Sequence, residues 1–167
     1  LGIPIKVCSP GREEIVQELS RLGSGDFCYP VKTAIACTNI LLRTYSSGRV
    51  LLPYLIQEAK DPTVHPKSVY CPFITSLPSF YRTGENEQRI STPIIDLNMK
   101  PADMAPGFAD VLEQAGFTGI SLARVEKALR SGIKALSDHR RIFAGQGERL
   151  FREIGEDKPV IVLFGRS

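Results

Sequence analysis

Apolar runs that are hydrophobic at every position, rather than at every second one, alternate along this chain with amphipathic helical patterns. Strands buried on both faces have such continuous apolar runs, so the alternation predicts an α/β fold, Rossmann-like, with a mostly parallel sheet in three layers. The expected strands are residues 3–8, 48–54, 68–71, 90–97 and 160–164. The expected helices are about 11–22, 30–43, 72–81, 101–114 and 121–155.

The last of these helices is the longest pattern in the chain. Ser121 is a typical N-cap, and apolar residues then recur at spacings of three, four and seven up to Ile154. We expect a helix of residues 121–155 that covers the sheet, with a bend near Gly145 and Gly147. The preceding helix should begin at about Pro101 and end before Gly116, which suits the position just beyond a helix end.

The composition is that of an ordinary globular chain. Hydrophobic residues make up 43% and charged residues 23%, and the net charge is +3 without a long run of one sign. These values argue against disorder, a fibrous structure and nucleic-acid binding, and the densest basic stretch, "RSGIKALSDHRR", is typical of a solvated helix face. No segment approaches the roughly 20 apolar residues of a membrane span, so we expect a cytoplasmic location.

The length and the chain ends indicate the domain organisation. A chain of 167 residues suits a single α/β domain, residues 1–167. It opens without methionine and closes on a buried-type strand, and strands of that kind normally lead into further structure. We therefore expect a fragment of a longer multidomain protein, not catalytic by itself.

Two cysteines, Cys28 and Cys71, each stand shortly before a proline that suits a helix start, in "DFCYPVK" and "VYCPF". Four cysteines are too few and too irregular for a secreted disulfide framework, which favours reduced thiols. A thiol at a helix N-terminus meets partial positive charge, which favours the thiolate that binds iron. If the preceding strands are neighbours, the two sulfurs would share one crevice at the carboxyl ends of the strands, as half of a four-thiolate site.

The remaining candidates are less specific. Cys8 is a third possible contributor, whereas Cys37, nine residues beyond Cys28 on the same helix, would lie about 13 Å away along its axis. Lys32 is placed to favour a thiolate or meet an acidic ligand, with a solvated lysine as the alternative. Ser76 and its neighbour Thr75 could donate to a sulfur or a phosphate, or serve only as helix-surface hydroxyls.

Several other site types are absent from the sequence. The two histidines, His65 and His139, have no ligand partner at helical spacing, which argues against zinc. Neither a P-loop nor a G-x-G-x-x-G turn occurs, so nucleotide hydrolysis by these residues is not expected. No G-x-S-x-G elbow for a nucleophilic serine is present.

Five blocks in one order carry a family resemblance: "DFCYPVKTA", "RVLLPYL", "VYCPFITSLPSFYR", "STPIIDL" and "KPVIVLFGR". They span nearly the whole chain. Together they resemble the domain found in proteins related to the activator and component subunits of 2-hydroxyacyl-CoA dehydratases, the CoA-substrate-specific enzyme activase-related family. The resemblance implies a place beside ATPase modules.

The same resemblance implies an iron–sulfur cofactor, a [4Fe-4S] cluster, and ATP-coupled transfer of a low-potential electron to a dehydratase- or reductase-related enzyme. It implies that Cys28 and Cys71 are cluster ligands and that this chain holds only part of the ligand set. From their positions beside these cysteines, we add Lys32 and Ser76 as expected cofactor-binding residues. The expected partner is an ATPase activator domain or subunit, with a homo-oligomer as a further option and neither nucleic acid nor membrane. The alternatives are a structural or interaction module without chemistry, and a thiol redox domain that pairs Cys28 with Cys71.

Overall fold

The structure, a computed structural model, describes residues 1–7, 9–21, 27–59, 68–81, 86–154 and 161. Helices and strands follow one another as α1 (Arg12–Arg21), α2 (Tyr29–Thr44), β1 (Val50–Leu51), β2 (Tyr54–Gln57), α3 (Pro72–Ser76), β3 (Ile90–Ser91), β4 (Ile94–Asp96), α4 (Pro101–Gln114) and α5 (Leu122–Glu153). Two 3-10 helices accompany them, η1 (Leu77–Tyr81) directly after α3 and η2 (Glu87–Arg89) directly before β3.

The strands form two small sheets with parallel pairing. Strand β1 pairs with β3, and β2 pairs with β4. In each pair the connection between the strands contains helical segments, as parallel pairing requires. The predicted α/β class with parallel strands is therefore confirmed.

A proline interrupts each strand at the same level of the register. Val50 pairs with Ile90 and Tyr54 with Ile94, so Pro53 stands opposite Pro93 by the same register. The register shifts only later, between Leu55 and Gln57. Between the pairs, the Leu52 amide donates to the Ser91 carbonyl and the Tyr54 amide donates to the Pro93 carbonyl, both at 2.9 Å. Leu52 and Tyr54 face the partner strand, so the bond missing between them is the one that Pro93, which has no N–H, cannot donate. The ladder is therefore broken into two short sheets although the chains continue in line.

The other three predicted strands also differ from the structure or fall outside the described residues. Residues 3–7 have no regular secondary structure, and Cys8 lies outside the described residues. The 68–71 segment forms a single bridge, in which Val69 lies antiparallel to Gln57. Residues 160–164 lie outside the described residues except Ile161. An apolar run is a strand only where a partner backbone accepts its hydrogen bonds, which local sequence does not decide.

The helix ends follow the local signals more closely. Helix α4 starts at Pro101 as predicted, and its end forms a Schellman-type cap in which Gly116, at φ 85°, donates to the Glu113 carbonyl at 2.9 Å. The Ser121 hydroxyl caps α5 by accepting from the Arg124 amide. Helix α5 is continuous through Gly145 and Gly147, and the bend expected there stays a prediction.

The core lies between the strands and the helices that pack on them. Helix α2 contacts α1 and β1, α3 contacts β2, and α4 contacts both β4 and α5. The buried apolar side chains come mainly from α2, η1, β3, α4 and α5: Val31, Ala36, Leu42, Leu77, Ile90, Met104, Ala105 and Val125. The helix that begins at Cys28 is therefore anchored through its buried face.

Two arginines fix the strand ends against the helices. Arg49 donates to the Ser91 hydroxyl at 2.7 Å and to the Gln114 side chain at 3.0 Å, which joins β3 to the end of α4. Arg89 donates to the Leu42 carbonyl at 2.9 Å, at the C-terminal end of α2. A cation at that end of a helix is also favoured by the helix dipole.

The second half of α5 carries its apolar side chains in the open. Phe143, Leu150 and Phe151 are 69%, 59% and 63% exposed, although the same helix buries Val125 near its start. The charged residues form ion pairs within the helix, such as Lys134 with Asp138. The predicted solvated charged face is thus present on this helix, beside an exposed apolar one.

Candidate functional site

Cys28 stands at the N-cap of α2. Its backbone is extended, with φ −64° and ψ 157°, and Pro30 occupies the first turn, where the missing N–H costs nothing. The Lys32 amide donates to the Cys28 carbonyl at 3.1 Å, while the side chain of Cys28 makes no capping hydrogen bond. The thiol is exposed. The backbone thus holds this residue in place and leaves its sulfur available.

Cys71 occupies the same position at the start of α3. Pro72 follows it, and the amides of Ile74 and Thr75 donate to the Cys71 carbonyl at 2.9 and 3.0 Å. Its side chain also makes no capping bond, and the residue is half-buried. The Cys-Pro echo in the sequence therefore marks two helix starts, as predicted.

An aromatic contact brings these two starts together. The Phe27 ring, next to Cys28, lies 5.7 Å from the Phe73 ring, two residues beyond Cys71, in an edge-to-face arrangement. The same ring lies 5.4 Å from that of Phe80. Such pairs add stabilisation of about 0.5–1.5 kcal/mol beyond their buried area. The segments that carry the two cysteines are therefore neighbours, although 43 positions separate Cys28 from Cys71 in the sequence.

A series of hydrogen bonds also joins η1, which follows α3, to helix α2. The Tyr81 hydroxyl, at the end of η1, donates to Asn39 Oδ1 at 2.9 Å and lies 3.2 Å from the Ile35 carbonyl oxygen. The Asn39 amide in turn donates to Glu18 Oε1 at 3.2 Å. Helices α1 and α2 and the η1 segment are thus connected by polar groups, of which Glu18 is buried and Asn39 and Tyr81 are half-buried.

The chain reaches Cys71 in a direction that the sequence did not predict. The Glu58 amide donates to the Ser68 carbonyl, and the Tyr70 amide donates to the Ile56 carbonyl, so residues 68–70 run antiparallel to β2. Cys71 therefore follows a segment that returns from the carboxyl end of β2. The expectation that it ends a parallel strand at that edge was wrong, because the 68–71 run pairs with the end of β2 rather than extending the parallel ladder.

The other candidate residues lie close to these starts. Lys32 is half-buried in the first turn of α2. The Thr75 hydroxyl donates to the Leu55 carbonyl at 2.8 Å and ties α3 to β2, and the Ser76 hydroxyl donates within its own helix to Phe73 at 3.4 Å. Cys37 lies half-buried further along α2. The assignment of Cys28, Cys71, Lys32 and Ser76 to a cofactor stays a prediction.

Of the two histidines, His139 stacks loosely on Phe143 at 6.2 Å, and His65 lies outside the described residues. Within residues 1–7, 9–21, 27–59, 68–81, 86–154 and 161, no group of three or more His, Cys, Asp or Glu side chains is arranged to hold a metal ion. Cys28 and Cys71 are not joined by a disulfide.

A charged cluster beyond the end of β2 escaped the sequence reasoning. The Tyr70 hydroxyl donates to Glu58 at 2.6 Å, and Arg140 of α5 forms an ion pair with the same carboxylate. Burial raises the pKa of Glu58, but the hydrogen bonds from Tyr70 and Arg140 outweigh it, so the pKa is lowered overall. Burial and the adjacent Glu58 raise the pKa of Tyr70 to about 12. No spacing in the sequence relates these three positions, so no local signal could have found them.

Tyr81 also lines part of a cleft. It is open, with a volume of about 880 Å³, and its lining includes Arg49, Tyr54, Tyr81 and Gln114. Neither Cys28 nor Cys71 is among the described residues that line it. The cysteine pair thus lies at an exposed aromatic surface rather than in this cleft.

None of the helices in the described part of the chain is long and apolar enough to cross a membrane. The chain has no significant match among curated proteins or among solved structures. A family model described as "CoA enzyme activase uncharacterised domain (DUF2229)" matches residues 1–167. This agrees with the resemblance carried by the cysteine-containing blocks. With its whole length matched, the chain belongs to the CoA enzyme activase uncharacterised domain family.

Proposed function

We propose that Cys28 and Cys71 are two thiolate ligands of an iron–sulfur cluster, and that the domain serves ATP-coupled, low-potential electron transfer to a CoA-thioester dehydratase or a related reductase. The observation that carries this proposal is the Phe27 contact with Phe73, which makes neighbours of the two cysteine-bearing helix starts. The family description supports the link to CoA enzymes. It does not name a cofactor.

The donor chemistry fits an iron–sulfur cluster in kind. Thiolates are the usual ligands of such clusters, and neither cysteine side chain makes a capping hydrogen bond to its helix. Cys28 is open to solvent and Cys71 partly so, which leaves both reachable by an incoming cluster. A bound cluster would supply one-electron transfer.

The two thiolates are half of a four-cysteine ligand set. The remaining ligands would come from Cys8, which lies outside the described residues, or from another domain or subunit. Lys32 and Ser76, each within five residues of one of the cysteines, are proposed to assist cofactor binding through charge and hydrogen bonding.

The proposal includes the setting of the domain. We infer a Rossmann-like three-layer arrangement in the complete domain, in which the described parallel strands are the central layer. The partner would be an ATPase activator domain or subunit, and the location would be the cytoplasm. Self-association remains a second option for completing the ligand set.

Anaerobic reconstitution of the metal-free chain with iron and sulfide tests the proposal. We expect iron and sulfide to bind at less than one full cluster per chain and to produce thiolate-to-iron charge-transfer absorption. Cys28→Ser and Cys71→Ser should each abolish that absorption. Cys37→Ser, on the same helix as Cys28, is the matched control and should retain it.

The outcomes separate the alternatives. Iron binding that survives both single substitutions would refute the assignment of these ligands. Complete indifference to iron would favour an interaction module, and its exposed apolar face on α5 would then be the first surface to test. A reversible change in gel mobility on oxidation, dependent on both Cys28 and Cys71, would favour a thiol redox domain.

A further inference from the structure

The hydroxyl of Tyr81 lies between the two elements that begin at Cys28 and Cys71. Helix α2 begins after Cys28 and contains Ile35 and Asn39, both in contact with that hydroxyl. Segment η1 follows α3 without a gap, and α3 begins after Cys71. We propose that Tyr81 is a positioning residue that sets the separation between Cys28 and Cys71; its relevance to metal binding rests on the proposed function.

The polar groups behind Tyr81 make this link directional. We call Tyr81, Asn39 and Glu18 the Tyr81 clamp. Asn39 accepts from Tyr81 at 2.9 Å through its oxygen and donates to Glu18 at 3.2 Å through its nitrogen, so both ends of the amide are engaged. A hydrogen bond has a preferred distance and angle, so the hydrogen bonds of the Tyr81 clamp limit how far α2 and η1 can slide past each other.

Glu18 anchors the far end of the clamp. It is only 3% exposed, and Arg43 and Arg21 pair with its second oxygen at 2.5 and 3.3 Å. Burial raises the pKa of Glu18, but the hydrogen bonds from Arg43, Asn39 and Arg21 outweigh it and lower the pKa overall. The carboxylate therefore stays ionised near neutral pH and holds the Asn39 amide in one orientation.

The state of the tyrosine matches this role. Burial raises the pKa of Tyr81 to about 12, aided by the negative charge of Glu18 and opposed by a hydrogen bond with Thr38. A tyrosine hydroxyl is protonated at neutral pH even at its ordinary pKa of 10.0, so it can donate to Asn39. A phenylalanine would fill the same space without this donor, so packing alone does not account for a tyrosine at this position.

The aromatic contacts of Phe27 do not replace the clamp. Edge-to-face pairs tolerate ring separations of roughly 4.5–7 Å, so they keep the two helix starts in contact without fixing one distance. The hydrogen bonds of Tyr81 provide that restriction. The two kinds of contact thus have separate effects, one on proximity and one on spacing.

A metal-free experiment tests the spacing directly. The reduced full chain is treated with bismaleimide linkers of graded length, and peptides that join Cys28 to Cys71 are quantified by mass spectrometry. The wild type should prefer one linker length. Tyr81→Phe should reduce the ratio between the best and the poorest linker about fivefold, the factor that corresponds to one lost neutral hydrogen bond.

Tyr54→Phe is the matched control. The Tyr54 hydroxyl lies 3.1 Å from the Ser79 hydroxyl, so the substitution removes the same group from another contact of η1, one that leads to β2 rather than α2. It should leave the length preference unchanged. A general loosening of η1 would move both variants alike, and that result would overturn the positioning role.

A second variant guards against loss of folding. Asn39→Ala keeps the tyrosine and removes its 2.9 Å acceptor, and should shift the length preference in the same direction but less, because the Ile35 carbonyl remains within 3.2 Å. An unchanged preference in both Tyr81→Phe and Asn39→Ala, or no preference in the wild type, would overturn the inference.

Iron reconstitution of the same variants separates the two proposals. A wild type that prefers one linker length but takes up no iron would sink the metal proposal and leave Tyr81 as the residue that spaces the thiols. A wild type that takes up iron, with Tyr81→Phe unchanged in linker preference, would leave the metal proposal standing and refute the role of Tyr81. Support for both requires that Tyr81→Phe also weaken iron uptake about fivefold while Tyr54→Phe does not.

Discussion

Replacing Glu18 by glutamine tests how much this buried carboxylate, the anchor of the Tyr81 clamp, contributes to stability. Glutamine keeps the size of the side chain and removes the negative charge that Arg43 and Arg21 face. Because Glu18 is 3% exposed, water cannot easily take the place of the carboxylate. We expect Glu18→Gln to lower the free energy of unfolding.

The size of the loss follows from the surroundings of the pair. Hydrogen bonds to charged groups contribute about 1.5–3 kcal/mol, and breaking a fully buried ion pair costs about 3–5 kcal/mol. The side chains of Arg43 and Arg21 are 51% and 62% exposed, so they can turn to water when the carboxylate is gone. We therefore expect a loss of about 2 kcal/mol, near the lower end.

Urea unfolding followed by far-ultraviolet circular dichroism measures this loss. The exposed Glu13→Gln on the same helix is the control and should change stability by less than about 0.5 kcal/mol. In a double-mutant cycle, Arg43→Met should show a clear coupling energy with Glu18→Gln. A loss below about 0.5 kcal/mol in Glu18→Gln would refute the reasoning, because it would mean that the network contributes no more than a surface pair.

The pH dependence has a definite sign. The pKa of Glu18 in the folded protein lies below its usual value of 4.5, so the folded state favours the ionised form more than the unfolded state does. Its contribution to stability is fully present above that usual value and is lost as the pH falls through the folded-state pKa. The gap in stability between wild type and Glu18→Gln should therefore narrow below about pH 4.5. A gap independent of pH would contradict the assignment to this carboxylate.

Three further outcomes follow from local geometry. Gly116→Ala should lower the free energy of unfolding by at least about 1 kcal/mol, because a φ of 85° is unfavourable for a residue with a side chain. Gly132→Ala inside α5, where an added Cβ meets nothing within 4 Å, should raise it by up to about 1 kcal/mol. Thermal unfolding measures both variants, and equal effects would contradict the cap at Gly116. Arg140→Met should lower the free energy of unfolding by no more than about 1 kcal/mol, because the side chains of Arg140 and Glu58 are 46% and 31% exposed. A coupling energy of several kcal/mol in a double-mutant cycle with Glu58→Gln would contradict this, because it would mean that the pair is effectively buried. Arg49→Lys should lower stability by about 1–2 kcal/mol in urea unfolding, since lysine cannot bond both Ser91 and Gln114 from one planar group; an unchanged midpoint would mean that these bonds are not needed.

The starts and ends of the helices were predictable because their causes are local. Pro30, Pro72 and Pro101 each mark a helix start, and Gly116 marks an end, since the conformational limits of proline and glycine act within a turn of the chain. The same locality explains why both cysteines proved to be N-caps. The α/β class followed from the order of these elements.

The strands were harder, because each depends on a distant partner. The 48–54 run was expected to be a strand that ends at Pro53. In the structure the chain resumes as β2 beyond Pro53, and the opposite strand likewise resumes as β4 beyond Pro93. Residues 68–70 pair in the opposite direction from the one expected. Neither result can be derived from the run itself, since hydrogen-bond partners lie dozens of residues away.

The sequence alone determined that Cys28 and Cys71 would each stand at the start of a helix, and that the chain would belong among CoA-enzyme-related domains. Only the tertiary structure decided that the two starts are neighbours, through Phe27 and Tyr81, and that Glu18 lies buried behind them. The physical reason is range. Caps and turns are set by interactions within a few residues, whereas the meeting of two helix starts depends on how separate apolar and polar surfaces pack together once the whole chain has folded.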